Sequence, residues 1–157
     1  MKLILFVAYM AVVAQMKDIK RTYEYHGAEH KTIACYEAGL ELTVDNVRTR
    51  SRLHPRCGTS FLFMVMLISI LFFSLFSWSN VWVRTATRLA MLPVVAGVSY
   101  EINRFAGRHD NWLTGLLRAP GLALQRMTTA EPTDDMMEVA IEAMNRVIPE
   151  NEGEDNW

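Results

Sequence analysis

The sequence predicts an all-α protein, a polytopic helical membrane protein with a transmembrane hairpin and a cytoplasmic helical loop containing histidines and cysteines. Three observations predict it. Apolar residues are gathered into blocks, and the 18 residues from Phe61 to Trp78 contain no charge, glycine or proline. At about 1.5 Å per residue that block makes roughly 27 Å of helix, close to the roughly 30 Å hydrocarbon core of a bilayer. Basic residues crowd the segments on either side of the apolar blocks and avoid the connection between two of them. Three of the four histidines and both cysteines fall between positions 26 and 57.

Composition sets the outer limits. With 157 residues the chain has room for one sizeable core, so residues 1–157 are read as a single domain. A hydrophobic share of 51%, a charged share of 21% and a net charge of -1 exclude intrinsic disorder and a basic nucleic-acid-binding chain. Two cysteines are too few for a disulfide framework.

The elements follow in order. Leu3 to Met16 is apolar over 14 residues, about 21 Å of helix, so it is either part of a membrane span or a signal-peptide core with a cleavage-like region at Val12-Val13-Ala14. Residues 17–60 form a polar loop containing a helix-compatible run, Thr32 to Ala38, that Gly39 can terminate. Phe61 to Trp78 is the clear transmembrane helix. Leu89 to Tyr100 is its returning leg, long enough only if it recruits Val81, Trp82 and Val83. Arg84 and Arg88 then snorkel to head groups or face protein, and Pro93 and Gly97 are tolerated as a kink. Residues 61–100 thus make the hairpin. Beyond it, Trp112, Leu113, Leu116, Leu117, Leu122 and Leu124 form either an interfacial amphipathic stretch broken at Pro120-Gly121 or an apolar face packed on the protein itself. A final helix capped by Thr133 or Asp134 carries Met136, Val139, Ala140, Ala143, Met144 and Val147 at helical spacing. The acidic end, Pro149 to Trp157, is expected to fray.

Orientation comes from the basic residues. Residues 17–60 carry Lys17, Lys20, Arg21, Lys31, Arg48, Arg50, Arg52 and Arg56, and the part after Glu101 carries Arg104, Arg108, Arg118, Arg126 and Arg146. Ser79 to Val83 carries none. The positive-inside rule then puts loop 17–60 and the C-terminus in the cytoplasm of a multi-pass inner-membrane protein. Cys35 and Cys57 would face a reducing compartment, where a thiol binds metal or reacts more readily than it cross-links.

The chemistry is expected in the loop. In Tyr25-His26-Gly27-Ala28-Glu29-His30-Lys31, a helix would put His26 and His30 four residues apart on one face, the spacing two imidazoles need to share an ion. With Glu29 between them the order His-x-x-Glu-His is the reversed zincin motif, in which the glutamate takes a proton from the attacking water. The same pair on a helix surface, bonded to carboxylates, is the bland alternative. Gly27 weakens such a helix by about 1 kcal/mol relative to alanine and leaves open that it starts only after His26. His54-Pro55-Arg56-Cys57-Gly58 offers an imidazole and a thiolate suited to completing a tetrahedral site, or else a membrane-entry turn with Ser60 capping the next helix. Glu101, at the end of the third apolar block, meets a metal, pairs with Arg104 or a loop cation, or has emerged into water. Cys35 would lie on another helix face from the histidine pair.

The strings Tyr25 to Ile33, Tyr36 to Gly39, Ser51 to Phe61, Leu92 to Glu101 and Ala119 to Pro132 resemble the bacterial membrane family catalogued as domain of unknown function 1385, also described as YqhQ-like and as metal-dependent enzymes. The resemblance covers nearly the whole chain. It implies an inner-membrane protein with a metal site on His26, Glu29, His30, His54 and Cys57, and this chain looks like the C-terminal half of the longer members. From the residues and the resemblance together, zinc is the expected cofactor and Glu29 the expected catalytic base. The ligands are expected among His26, His30, His54, Cys57 and Glu101. The expected function is that of a zinc-dependent hydrolase of unknown substrate. The alternative is a membrane scaffold or assembly factor in which a structural metal pins a docking platform for a membrane or translation-linked partner. The partners expected are the bilayer and either another protein or the missing N-terminal half.

Overall fold

A computed structural model of the chain describes residues 2–55, 57–76, 80–109 and 111–149. Among them the chain forms α1 (Lys2–Val13), α2 (Lys17–Glu37), α3 (Val44–Arg48), α4 (Gly58–Ser74), α5 (Val81–Arg108), α6 (Trp112–Thr128) and α7 (Asp134–Asn145), and no strand. The all-helical class is therefore as the sequence predicts. The chain divides into two compact units, one built from the chain up to His54 and again from Arg126 onward, the other from Pro55–Gln125.

In the first unit α2 is the organising element. It starts at an extended Met16, has Asp18 in its first turn where the helix dipole favours an anion, and carries Lys20 and Glu24 one turn apart. It is far longer than the expected run from Thr32, because Gly27 does not interrupt it. Gly39 ends it at φ 65°, with its N–H donating to Tyr36 O and the Leu40 N–H to Cys35 O. Those two bonds make a Schellman turn, which only a residue tolerant of positive φ completes without strain. The α3 helix is capped by the Thr43 hydroxyl, which accepts from the Asn46 N–H.

The helices α2, α3 and α7 pack on one another. Their core is Ala28, Cys35, Val47, Met136 and Met137, flanked by Leu42, Val44, Ala140 and Ile141. Thr133 occupies the N-cap position of α7, one of the two positions expected, but its hydroxyl makes no capping bond. The buried face of α7 differs from the expected one: Met136 and Met137 point inward, while Val139 and Val147 are exposed. The helix meets both α2 and α3, and a wedge between two helices buries a face turned away from Val139. Arg48 on α3 ties that helix to α7 at the surface, reaching Asp134 at 2.8 Å, and also pairs with Asp45 of its own helix at 2.8 Å. In α1, Ile4, Leu5, Tyr9 and Val12 are exposed.

In the second unit α4 and α5 follow one another along the chain and pack together as a helical hairpin. The α5 helix has 28 residues, about 42 Å, and is the one described helix long and apolar enough to cross a membrane. The 17-residue α4 and Ile4–Val13 of α1 are apolar but shorter. Polarity in this unit is inverted relative to a water-soluble domain. The buried residues include Ser60, Ser99, Thr114 and Gln125, together with Val95 and Ala106. Leu62, Leu71, Leu89, Leu92, Val98 and Trp82 are outside. The inner polar groups are satisfied: Ser99 donates to Val95 O one turn back in α5 and the Gln125 amide donates to Ser60 Oγ, both at 2.7 Å.

Two local expectations are corrected here. Ser60 does not cap α4; Cys57 occupies the N-cap position and Ser60 sits one turn inside, buried as an acceptor for Gln125. Pro120-Gly121 does not break the helix, and α6 runs through both. Pro120 removes one backbone donor, but a Cβ on Gly121 would lie 2.9 Å from the Ser60 side chain. Gly121 therefore permits a close approach to Ser60 that holds the helix across the proline. The acidic residues 150–157, expected to fray, lie outside the described residues.

Burial pushes the Cys35 thiol up from its ordinary value, with Arg50 opposing that shift more weakly. The folded state therefore favours the neutral thiol. Its contribution is fully present below the unfolded pKa, about 8.5, and is lost as pH rises through the higher folded value. The denaturant midpoint should fall more steeply between pH 8 and 10 in the wild type than in Cys35→Ala. Parallel pH profiles would show that Cys35 ionises equally easily in both states.

Candidate metal centre

The continuity of α2 through Gly27 places His26 and His30 on one face, four residues apart. Their ring centroids are 4.3 Å apart in an edge-to-face arrangement, and a nitrogen of one lies within 4.8 Å of a nitrogen of the other. Each ring is aimed by a backbone carbonyl. His26 Nδ1 is 2.9 Å from Thr128 O and His30 Nδ1 is 2.7 Å from Arg52 O. A carbonyl only accepts, so the proton of each neutral ring sits on Nδ1 and the lone pair on Nε2. Metal-binding histidines are oriented in this way, with the far nitrogen donating to a fixed oxygen.

His54 joins them from the loop after α3. It is buried, its ring centroid is 5.9 Å from that of His30, and its Nε2 is 3.0 Å from Glu37 Oε2 at the end of α2. The Glu37 carboxylate accepts from Nε2 of His54. Three histidines separated by up to 28 positions are thus assembled within one unit, each held by an oxygen acceptor.

The assembly is held by the segment after α6, which crosses over α2. The Ala130 N–H donates to Tyr23 O at 2.8 Å, and Thr128 O receives His26. A Cβ at Gly27 would collide with the Ala130 carbonyl oxygen. The glycine that weakens the helix in isolation is what lets the crossing strap touch it. Lys31, nearly buried, donates to Arg48 O at 3.1 Å and pairs with Glu131 at 2.9 Å. Arg52 links the two carbonyls: its own C=O receives His30, and its guanidinium donates to Thr129 O and Oγ1, next to the Thr128 C=O that receives His26.

Glu29 is solvent-exposed on the flank of α2 beside His30. Cys57 belongs to the second unit, three residues along the chain from His54, where it is buried with Sγ 3.1 Å from Thr59 Oγ1. Glu101 is on the exposed side of α5, 3.7 Å from Arg104, the pairing anticipated as one alternative. Cys35 is in the apolar core, with its thiol 3.6 Å from Glu41 O. Sequence reasoning missed Glu37, Arg52 and the strap at Thr128. The distances along the chain hide them, although a glycine in mid-helix was a visible sign that another backbone passes there.

Gly27→Ala should be destabilising despite alanine's higher helix propensity. Overpacking costs about 1–3 kcal/mol against roughly 1 kcal/mol gained in the helix. Denaturant unfolding of the two proteins decides it, and a more stable alanine variant would show that the strap does not press on α2.

A family model described as "Protein of unknown function (DUF1385)" matches residues 1–150. The chain is 43% identical over 148 residues to "Uncharacterized protein YqhQ" of Bacillus subtilis (strain 168), a match covering 94% of this chain and 46% of that protein. The chain thus spans about half the length of the curated relative it matches, and the comparison does not bear out the narrower expectation that it is the C-terminal half. No solved structure matches. On the family match and this identity, the chain belongs to the DUF1385 family, as its sequence strings suggested.

Proposed function

We propose that the chain is a membrane-embedded metalloprotein in which His26, His30 and His54 hold a zinc-class ion at the cytoplasmic face, and that this centre supports hydrolysis. The observation that carries the metal reading is the pair of Nδ1 bonds to Thr128 O and Arg52 O, which present two neutral imidazoles by their Nε2 lone pairs. Imidazole donors suit zinc and its neighbours rather than calcium or magnesium, which take oxygen shells. Zinc would supply Lewis acidity and an attacking water activated near neutral pH. The protein's own part is to orient the rings, and Glu29 is the group that takes a proton from water. Its exposure beside His30 leaves it open to solvent and substrate. The substrate class is unassigned.

Cys57 supports a second reading. A thiolate three positions from His54 would bring the protein ligands to four, the closed shell of a structural site. The metal would then pin the strap and α2 as a platform for a protein partner.

The membrane part of the proposal rests on α5, on the α4–α5 hairpin and on the inverted polarity of the second unit. Small and polar interiors with apolar exteriors suit a lipid solvent. Trp82 and Tyr100 lie 18 residues apart on α5, about 27 Å along the axis, the spacing of two interfacial aromatic belts. The hairpin and the basic residues support, as part of the same proposal, the crossing of α4 as the other leg and the placement of residues 17–60 and the C-terminus in the cytoplasm.

Elemental analysis of the purified chain should find about one zinc-class ion per chain, lost in the His26→Ala, His30→Ala double variant. Glu29→Gln should retain the metal. Equal metal content in the wild type and the double variant would contradict the site. Three imidazoles with an oxygen at the fourth position, seen by X-ray absorption, favour the hydrolase; a sulfur at about 2.3 Å favours the closed structural site.

A further inference from the structure

The α6 helix is turned inside out. Trp112, Leu116, Ala119 and Ala123 recur at intervals of four, three and four and are all exposed, Trp112 at 81% and Leu116 at 62%. The buried residues of the same helix are Thr114, Gly121, Leu124, Gln125 and Thr128. A helix on a water-soluble surface orients the opposite way, with its polar residues outward. The inward polar groups are satisfied. Thr114 Oγ1 donates to His109 O and Asn111 O, its N–H bonds Asn111 Oδ1, and Gln125 bonds Ser60. The inversion is therefore built in, and its outer face needs an apolar surrounding.

We propose that α6 lies in the interfacial layer of the bilayer, with its Trp112–Leu116–Ala119–Ala123 face against acyl chains. The proposal rests on the membrane reading of α5. That helix is about 42 Å long, so a core of roughly 30 Å leaves its end outside the hydrocarbon. The exposed Arg104 and Arg108 lie at that end, and α6 begins four residues after Arg108. Its start is thereby held at head-group depth. Within α6 the charged residues are Arg118 and Arg126, with no acid, which matches the phosphates of an anionic leaflet. At 17 residues with Arg118 in its middle, α6 is suited to lying along the interface rather than crossing it.

The test uses the whole chain in vesicles of phosphatidylcholine and phosphatidylglycerol whose acyl chains carry bromine at a shallow or a deep position. One variant keeps Trp112 alone (Trp78→Phe, Trp82→Phe, Trp157→Phe), and a second keeps Trp82 alone (Trp78→Phe, Trp112→Phe, Trp157→Phe). The result expected is that Trp112 loses most of its emission to shallow bromines and much less to deep ones. Loss from Trp82 with none from Trp112 would overturn the interfacial placement and leave the face to a protein or a second copy. Strongest loss from deep bromines would overturn it in favour of a span. No loss from either tryptophan would sink the membrane reading itself, and this proposal with it.

Discussion

The first unit depends on a pair of hydrogen bonds, from His26 Nδ1 to Thr128 O and from His30 Nδ1 to Arg52 O, that join α2 to two chain segments 102 and 22 residues away. Each bond satisfies a ring donor in a largely buried place, where an unpaired one would cost about 1–3 kcal/mol. Each also fixes a tautomer, so the same contacts that close the fold decide which nitrogen the pair presents. Gly27 makes the first bond sterically possible, and Arg52 makes the two interdependent. Lys31, Glu131 and the Arg48–Asp134 pair hold the strap on either side of the crossing. A loop that had merely been long and polar would have placed the histidines without aiming them.

Under the proposed membrane placement, the second unit answers to a different solvent. Its buried residues include Ser60, Ser99, Thr114 and Gln125 beside Val95, Ala106 and Leu124, while Leu62, Leu71, Leu89, Leu92 and Trp82 are exposed. In water this arrangement would forfeit the hydrophobic term that stabilises ordinary domains. In lipid it is the expected economy, since close packing and internal hydrogen bonds are what remain to hold helices together.

The helical class, the α4–α5 hairpin, the end of α2 at Gly39 and the Thr133 start of α7 were legible because each depends on neighbours in the chain. The pairing of His26 with His30 was legible for the same reason, being a helical repeat. What was hidden depends on tertiary contacts. The length of α2 and the persistence of α6 through Pro120 both turn on a glycine whose value lies in what passes it, Ala130 in one case and Ser60 in the other. Read locally, each glycine argued for a break. Glu37 as the partner of His54, and Thr128 as that of His26, had no signal in spacing. The inward face of α7 was misjudged because a helix wedged between two others buries a direction that periodicity alone leaves open.

The central claim is that the fold engages Nδ1 of both His26 and His30 with backbone carbonyls, so that an ion meets each ring at Nε2. Nitrogen-15 spectra of the histidine side chains in the metal-free chain at neutral pH test it most directly. The account predicts a protonated Nδ1 and an unprotonated Nε2 for both residues, and added zinc should then move Nε2 alone. The opposite tautomer in either ring, or zinc that shifts Nδ1 or neither nitrogen, would contradict it.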